Sequence, residues 1–519
     1  MALGDCKRTL TGVSVNALAC ALAASLAACG GSGGEQAALP AQAPLQLSAL
    51  APQTDGNPAM TPMFHAAPLV LQEPADVDAD SSGLSATRAP DRYQLSPEAQ
   101  QINTARLTRE ALNAYRASAR TAQPMAGANT TVVAYTPAQI RAAYSMPSLP
   151  SAADMKTAAG AASLGAGQTI YIIGAYDNPT VSKDLAAFNA KFGLPTCPST
   201  AISTAAALPL AAADPGAGCT LSIVYSAAGS AAPVAGKPAY DAGWAAESAM
   251  DVQWAHATAP LARIILIEAP DSGTISLSNA IMLANRMGPG IVSMSFGARE
   301  GSWTARYEST FQGKDMSYVA SAGDAGTQVN WPASSPRVLA VGGTTLNYSA
   351  TGTRSETAWS LTGGGVSSYT ARPSYQDAVK WVRLSSGVSV VPRMRAVSDV
   401  SFNADPRTGQ YVAVTTAGAQ TPGWYSYGGT SISAPQWAGM LAVANSTRAL
   451  SGKAPVNLAQ NILYNKIASV PGIYAGAFYD VKANRNGNCL DCNAVTGYDL
   501  PTGLGSPVFG NLLGALVAN

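Results

Sequence analysis

The sequence predicts an α/β fold in which a parallel sheet is flanked by helices. Two observations point there. From about residue 168 onward, short apolar runs alternate with stretches of helical periodicity. The runs themselves, such as TIYIIG at 169–174 and ARIILIEA at 262–269, are continuously apolar, as strands covered on both faces are. Active sites in such sheets collect at the carboxyl ends of the strands.

Taken in order, the strand over 169–174 is followed by a helix over 182–192. A short strand over 222–225 precedes a helix over 240–257, and the strand over 262–269 precedes a helix over 276–287. Further strands are read at 291–295, 318–321 and 338–341, and a last long helix at 434–450. Upstream, Thr136-Pro137-Ala138-Gln139 has the pattern of a capping box and opens a short helix. Ser96-Pro97-Glu98 opens another, running to about Ala122. No internal repeat is found.

The N-terminus reads as a processing signal. Lys7 and Arg8 precede a largely apolar stretch that closes with Leu26-Ala27-Ala28-Cys29 and a Gly/Ser tether. This resembles a bacterial lipoprotein signal, with Cys29 the lipidated first residue of the mature chain. An ordinary signal peptide cut near Cys29 is the alternative. Three segments are expected: a signal peptide over 1–28, a disordered spacer or short pro-region with one helix over 29–133, and a catalytic domain over 134–519. Residues 30 to about 90 are rich in Pro, Ala, Gln and Asp and lack sustained periodicity. Export as an outer-membrane lipoprotein is expected, in the periplasm, at the cell surface or released. The membrane is touched only through Cys29, since no later run reaches the roughly 20 apolar residues of a spanning helix.

Net charge is +1 and 12% of residues are charged, which argues against a nucleic-acid partner. In an oxidising compartment the four cysteines left downstream of Cys29 are expected to pair as Cys197–Cys219 and Cys489–Cys492. With no second Cys/His pair near Cys489-x-x-Cys492, a zinc site is disfavoured.

Three motifs carry chemistry. Gly428-Gly429-Thr430-Ser431 is a tight corner leading into a helix. Its glycines permit close backbone approach, and Ser431 sits where helix N–H groups favour developing negative charge. Ser431 is therefore a candidate nucleophile. Glu247 and Asp251 stand four apart on a mostly apolar helix, which puts their Cβ atoms about 6 Å apart on one face. Two carboxyls in a poorly solvated site share a proton and can act as a base in acid, where histidine is protonated. The plainer reading is a pair of capping or surface carboxylates. Asp324, in Ser321-Ala322-Gly323-Asp324-Ala325-Gly326, either satisfies turn N–H groups or, protonated, donates to an oxyanion.

In this order along the chain, these motifs resemble the sedolisin (serine-carboxyl) peptidases, which are similar to subtilisins with glutamate in place of the histidine. The resemblance runs from about residue 134 to the C-terminus. It implies a subtilisin-like fold and an endopeptidase acting at acidic pH on polypeptide substrates, and a monomer is expected. Ser431 would be the nucleophile, Glu247 the base, Asp251 its partner and Asp324 the oxyanion donor. Ser293-Met294-Ser295-Phe296-Gly297 resembles the strand that pairs with substrate, through Ser295 and Gly297, while Trp359 with Gly363-Gly364-Gly365 resembles another signature. Near the C-terminus the resemblance implies one calcium ion in a loop, held by the carboxylates of Asp480 and Asp499 and the carbonyls of Val481, Val495 and Gly497. Val495 stands where the family has glycine. The family's long folded pro-domain has no counterpart of that length here, and Gln123–Thr131 is a plausible cleavage region.

The chain has two histidines. His256, near the end of its helix, is read as structural, and His65, in the spacer, as without a role. Asp177 is read as shaping a cleft edge or a turn with Asn178-Pro179. Two rival functions are a catalytically silent surface-anchored binding protein on the same fold, and a histidine-dependent subtilisin relative active at neutral pH.

Overall fold

Alternation along the central strands decides the layers. In Thr169–Ala175, Ile170 and Ile172 enter one apolar core while Tyr171 and Ile173 enter a second. Ile264 and Leu266 of Arg263–Ala269 likewise face the first core, and Ile265 and Ile267 the other. Side chains of a strand alternate between faces, so both faces of this sheet are covered. The computed structural model describes residues 57–67, 69–74, 89–95, 131–349, 351–378 and 391–519. Cys29 with the signal segment, the helix read from Ser96 to Ala122 and most of Gln123–Thr131 lie outside them. The described residues belong to the unit Leu47–Asn519.

The main sheet has nine strands. Its parallel centre runs, across the sheet, Leu221–Ser226, Arg263–Ala269, Thr169–Ala175, Gly290–Met294, Met316–Ser321 and Leu339–Tyr348. Val400–Asn403 joins Leu339–Tyr348 in parallel, and Pro233–Val234 and Arg354–Ala358 close the edges antiparallel. The helices Ala242–Thr258 and Thr430–Leu450 pack on the first core, and Thr274–Met287 on the second. The α/β class expected from the sequence, with a parallel-rich sheet and flanking helices, is the fold observed. The capping box at Thr136 and Gln139 is formed in both directions, and both expected disulfides are present. Among the described residues no helix is long and apolar enough to cross a membrane.

Two differences from the sequence reading bear on the site. The serine helix begins at Thr430 rather than 434, which places Ser431 within its first turn. The second difference corrects the spacer. Residues 57–67, 69–74 and 89–95 are not free of structure. Asp91–Gln94 pairs with Thr131–Tyr135 in a five-stranded sheet that also contains Thr408–Val414, Gly423–Gly428 and His65–Ala66. Thr61–Pro62 pairs antiparallel with Phe296–Arg299 in a further small sheet. These two-residue strands have no periodicity of their own and are held by distant partners.

Candidate active site

The carboxylate helix starts at an N-cap, Asp241, whose side chain accepts from the N–H groups of Gly243 and Trp244. Every residue from Trp244 to Thr258 is buried, because the helix packs on the sheet beside the serine helix and is covered by Thr408–Val414 and Val181–Phe192. Glu247 and Asp251 are thereby removed from water, with residual exposures of 2% and 1%. Burial drives both carboxyls well above the ordinary range; for Glu247 the charge of Asp251 adds to the effect. Asp251 is partly relieved by Ser295, whose Oγ donates to its Oδ1 at 2.7 Å. Neither oxygen of Glu247 has a hydrogen-bond partner among the described residues, although Ser431 lies near enough to favour its ionised form. A buried acceptor left in this state costs about 1–3 kcal/mol. That cost is of the kind found where a group is held ready for chemistry.

The serine helix meets this pair from the other side. Gly429 precedes it with φ +100°, and a Cβ there would come within 2.3 Å of the Met63 carbonyl oxygen and 2.6 Å of Asp324 Oδ2. Only glycine leaves this corner open. Pro435, inside the helix, has no N–H to return to the carbonyl of Ser431 four residues earlier. That carbonyl is met instead by Ser295 Oγ at 3.0 Å. One hydroxyl therefore contacts both the carboxylate helix and the peptide unit of Ser431. Ser431 Oγ donates to the Ser295 carbonyl at 2.9 Å.

Asp324 stands beside the same corner. Its Oδ1 accepts from the N–H and the hydroxyl of Thr430, at 2.8 and 2.7 Å, as a cap on the first turn. Its Oδ2 lies 3.2 Å from His65 Nε2. His65 is thus not a spacer residue without a role. It is 8% exposed, sits edge-on to Trp359, and faces the aspartate of the site. Being one of two histidines was its only signal in the sequence. His256, by contrast, is buried at the end of its helix against the carbonyl of Pro195, and burial lowers its pKa to about 4.

An extended segment of the chain crosses this site. Thr61 pairs with Gly297 and Pro62 with Phe296, and the Met63 N–H donates to the Ser295 carbonyl at 3.2 Å. The N–H of Ser431 donates to the Met63 carbonyl at 2.9 Å. Beyond it, His65 pairs with Gly428 and Ala66 with Tyr427. The segment read as substrate-pairing, at Ser295 and Gly297, is paired here by an extended stretch of this chain itself. Periodicity gave no sign of it. Asp177 lies at the turn after Thr169–Ala175, accepting from Tyr225 OH at 3.0 Å. Nearby, Glu268 is buried, with Oε1 accepting from Asn178 N; burial pushes its pKa up to about 8.

The C-terminal residues read as metal ligands also converge. Asp480 Oδ1 accepts from Gly497 N at 3.0 Å, and Asp499 Oδ2 from Val495 N at 3.0 Å. Asp499 is buried, which pushes its carboxyl up to about 8, with the charge of Asp480 contributing. Lys482 Nζ, 3.3 Å from Asp480 Oδ2, is mostly exposed. Among the described residues no hydrogen bond reaches the carbonyls of Val481, Val495 or Gly497. Two carboxylates and three uncommitted carbonyls suit a hard cation such as calcium.

A model of the subtilase family matches residues 240–483. Kumamolisin of Bacillus sp. (strain MN-32) is 34% identical over 301 residues, 52% of this chain and 50% of its own length. Sedolisin of Pseudomonas sp. (strain 101) is 36% identical over 196 residues, 34% of this chain and 28% of that protein. The chain thus spans half or less of the length of these relatives. The solved structure of the Pseudomonas serine-carboxyl proteinase with two molecules of pseudo-iodotyrostatin superposes with a TM-score of 0.56 at 26% identity. It covers 74% of this chain and 98% of that one.

Proposed function

We propose that the chain is a serine-carboxyl endopeptidase of the sedolisin family, on the subtilisin-like fold, acting on extended polypeptides in acid; the subtilase match and the likeness to kumamolisin and sedolisin support this reading. The observation that carries this reading is the Ser295 hydroxyl, which contacts Asp251 at 2.7 Å and the Ser431 carbonyl at 3.0 Å and so aligns the acidic pair with the nucleophile.

Ser431 Oγ attacks the carbonyl carbon of a peptide lying along Ser295–Gly297. Glu247 takes the Oγ proton and returns it to the leaving amine, and water then hydrolyses the acyl-enzyme in the reverse sense. Asp251 shares the pair's proton and holds Glu247 in place. The Ser431 N–H receives the oxyanion, as it receives the Met63 carbonyl. Asp324, once protonated and released from Thr430, is the second donor. A dry carboxyl pair suits this chemistry because it keeps one proton over a range where histidine would be fully charged. Calcium, held by Asp480, Asp499 and the carbonyls of Val481, Val495 and Gly497, would stabilise the C-terminal loop by binding the native state. Export as a lipoprotein anchored at Cys29 remains part of the proposal, with the protein a monomer.

The test is cleavage of denatured casein from about pH 3 to pH 8 with calcium. Activity peaking in acid, lost in Ser431→Ala and Glu247→Gln and kept in His256→Ala, supports the reading. Loss in His256→Ala alone would support the histidine-dependent alternative. No activity in folded protein would leave a binding protein.

A further inference from the structure

We propose that the bond between Met63 and Phe64 is a self-processing site, presented by the chain to its own Ser431. The inference rests on the peptidase reading above and adds to it a particular bond and a preference for the residues around it.

Three features of the crossing segment point to this bond. First, its pairing changes partner there. Thr61 and Pro62 are held by the strand Phe296–Arg299 and Met63 by the Ser295 carbonyl just before it, whereas His65 and Ala66 are held by Gly428 and Tyr427. An extended peptide added to two edges, one on each side of the nucleophile, is bound as a substrate is bound. Phe64 is the residue between the two sets of pairs, stacked on Tyr427 at 5.4 Å. Second, the Met63 carbonyl accepts from the Ser431 N–H at 2.9 Å, the one orphan donor of the helix start that adjoins the nucleophile. Third, two side chains before the bond are anchored. Met60 is 2% exposed in the core that contains Trp244 and Phe296. Met63 is 8% exposed, with its terminal methyl 3.2 Å from where a Cβ on Gly297 would stand.

The upstream end is also fixed. Met60 N–H donates to the Ser272 carbonyl, and the Pro58 carbonyl accepts from Thr274 N and Oγ1. The segment therefore enters in one register, since a slip of one residue would turn the buried Met60 and Met63 out of place and put Thr61 and Phe64, or Ala59 and Pro62, at their positions. Attack forms a Ser431 Oγ–carbonyl bond to Met63 and breaks the Met63–Phe64 C–N bond. The Phe64 nitrogen leaves as an amine with the proton held by Glu247, and water releases the Met63 carboxyl. The same anchors predict the substrates this cleft takes in trans. They carry an unbranched apolar side chain immediately before the cleaved bond and a second apolar side chain three residues earlier.

The full chain is expressed as wild type and as Ser431→Ala, adjusted to acid with calcium, and followed by intact mass and N-terminal sequencing. The wild type is expected to yield a chain beginning at Phe64, at a rate independent of protein concentration, while folded Ser431→Ala stays whole. Met63→Asp, which replaces a buried methionine with a carboxylate, is expected to slow appearance of the Phe64 terminus at least about tenfold. Casein cleavage with no Phe64 terminus, or with a terminus at another bond, overturns the inference and leaves the peptidase reading standing. Unchanged processing in Met63→Asp overturns the anchoring argument. Absence of both self-cleavage and casein cleavage in folded wild type overturns the two together.

Discussion

The molecule holds two pairs of acidic side chains, and it treats them in different ways. Glu247 and Asp251 lie on one face of a regular helix, buried where it packs on the sheet beside the serine helix, and no backbone N–H among the described residues turns toward Glu247. Asp480 and Asp499 lie in loop, and backbone N–H groups of Gly497, Val495 and Thr502 turn toward their oxygens. The first environment raises the cost of charge until a proton is retained. The second also raises it for the buried Asp499, but offsets part of that with backbone N–H groups, in a loop that also carries uncommitted carbonyls. Residue type does not separate the two roles; the backbone around each pair does.

The largest expected effect breaks the symmetry between them. Glu247→Gln, like Ser431→Ala, should lower kcat by at least about a thousandfold and leave the melting temperature at neutral pH unchanged or raised, because a buried ionisable group is replaced by a neutral one. Asp499→Asn should keep turnover in excess calcium within about tenfold and lower the melting temperature. A matched loss of activity in both variants would show that the pairs are not separate devices.

Next in size is the metal itself. Chelation should destabilise the wild type by about 2.7 kcal/mol relative to calcium at a hundred times its dissociation constant. Glu247→Gln should lose as much, whereas Asp499→Asn should be indifferent to chelation. Melting curves with and without chelator decide it.

A smaller effect concerns pH. With calcium saturating, so that the loop pair is fixed, Glu247, Asp251 and Glu268 are among the buried acids that remain, beside Asp184, Glu308 and Asp405. Their folded pKa values are raised, so the native state keeps protons that the unfolded chain releases. Their contribution is full below the unfolded carboxylate range and is lost as pH rises. For Glu268 the window runs from 4.5 to about 8. The melting temperature should therefore fall across that interval, and Glu268→Gln should flatten the fall. The smallest effect is His256→Ala, expected to cost about 1–3 kcal/mol of stability through the orphaned Pro195 carbonyl and lost packing, with kcat within a few-fold of wild type.

How much of this could be read in advance follows the same divide. Glu247, Asp251, Asp324 and Ser431 were legible because each sits in a local pattern: a helical spacing or a glycine-flanked corner. The parallel sheet was legible from its apolar runs. The start of the serine helix was misplaced because Pro435 reads as a first-turn proline, while the helix in fact begins at Thr430. Strands Thr408–Val414 and Gly423–Gly428 passed unread. The segment from Asn57 to Ala67 was unreadable for a deeper reason. Pro58 and Pro62 with scattered alanines resemble a linker, and its order comes wholly from edges more than two hundred residues away. His65 belongs to that class: nothing beside it in the chain announces Asp324.

Pro435 sets one further condition on the cleft. By lacking an amide hydrogen it leaves the helix short of one rung at Ser431, and the Ser295 hydroxyl spans the gap. The distance between the peptide-pairing strand beside Ser295 and the helix that carries Ser431 is therefore held by a contact 3.0 Å long. A bulky guest that pried the two apart would first strain the peptide unit of Ser431. Fit along the strand is in this way felt as aim at the serine, before any bond is made or broken.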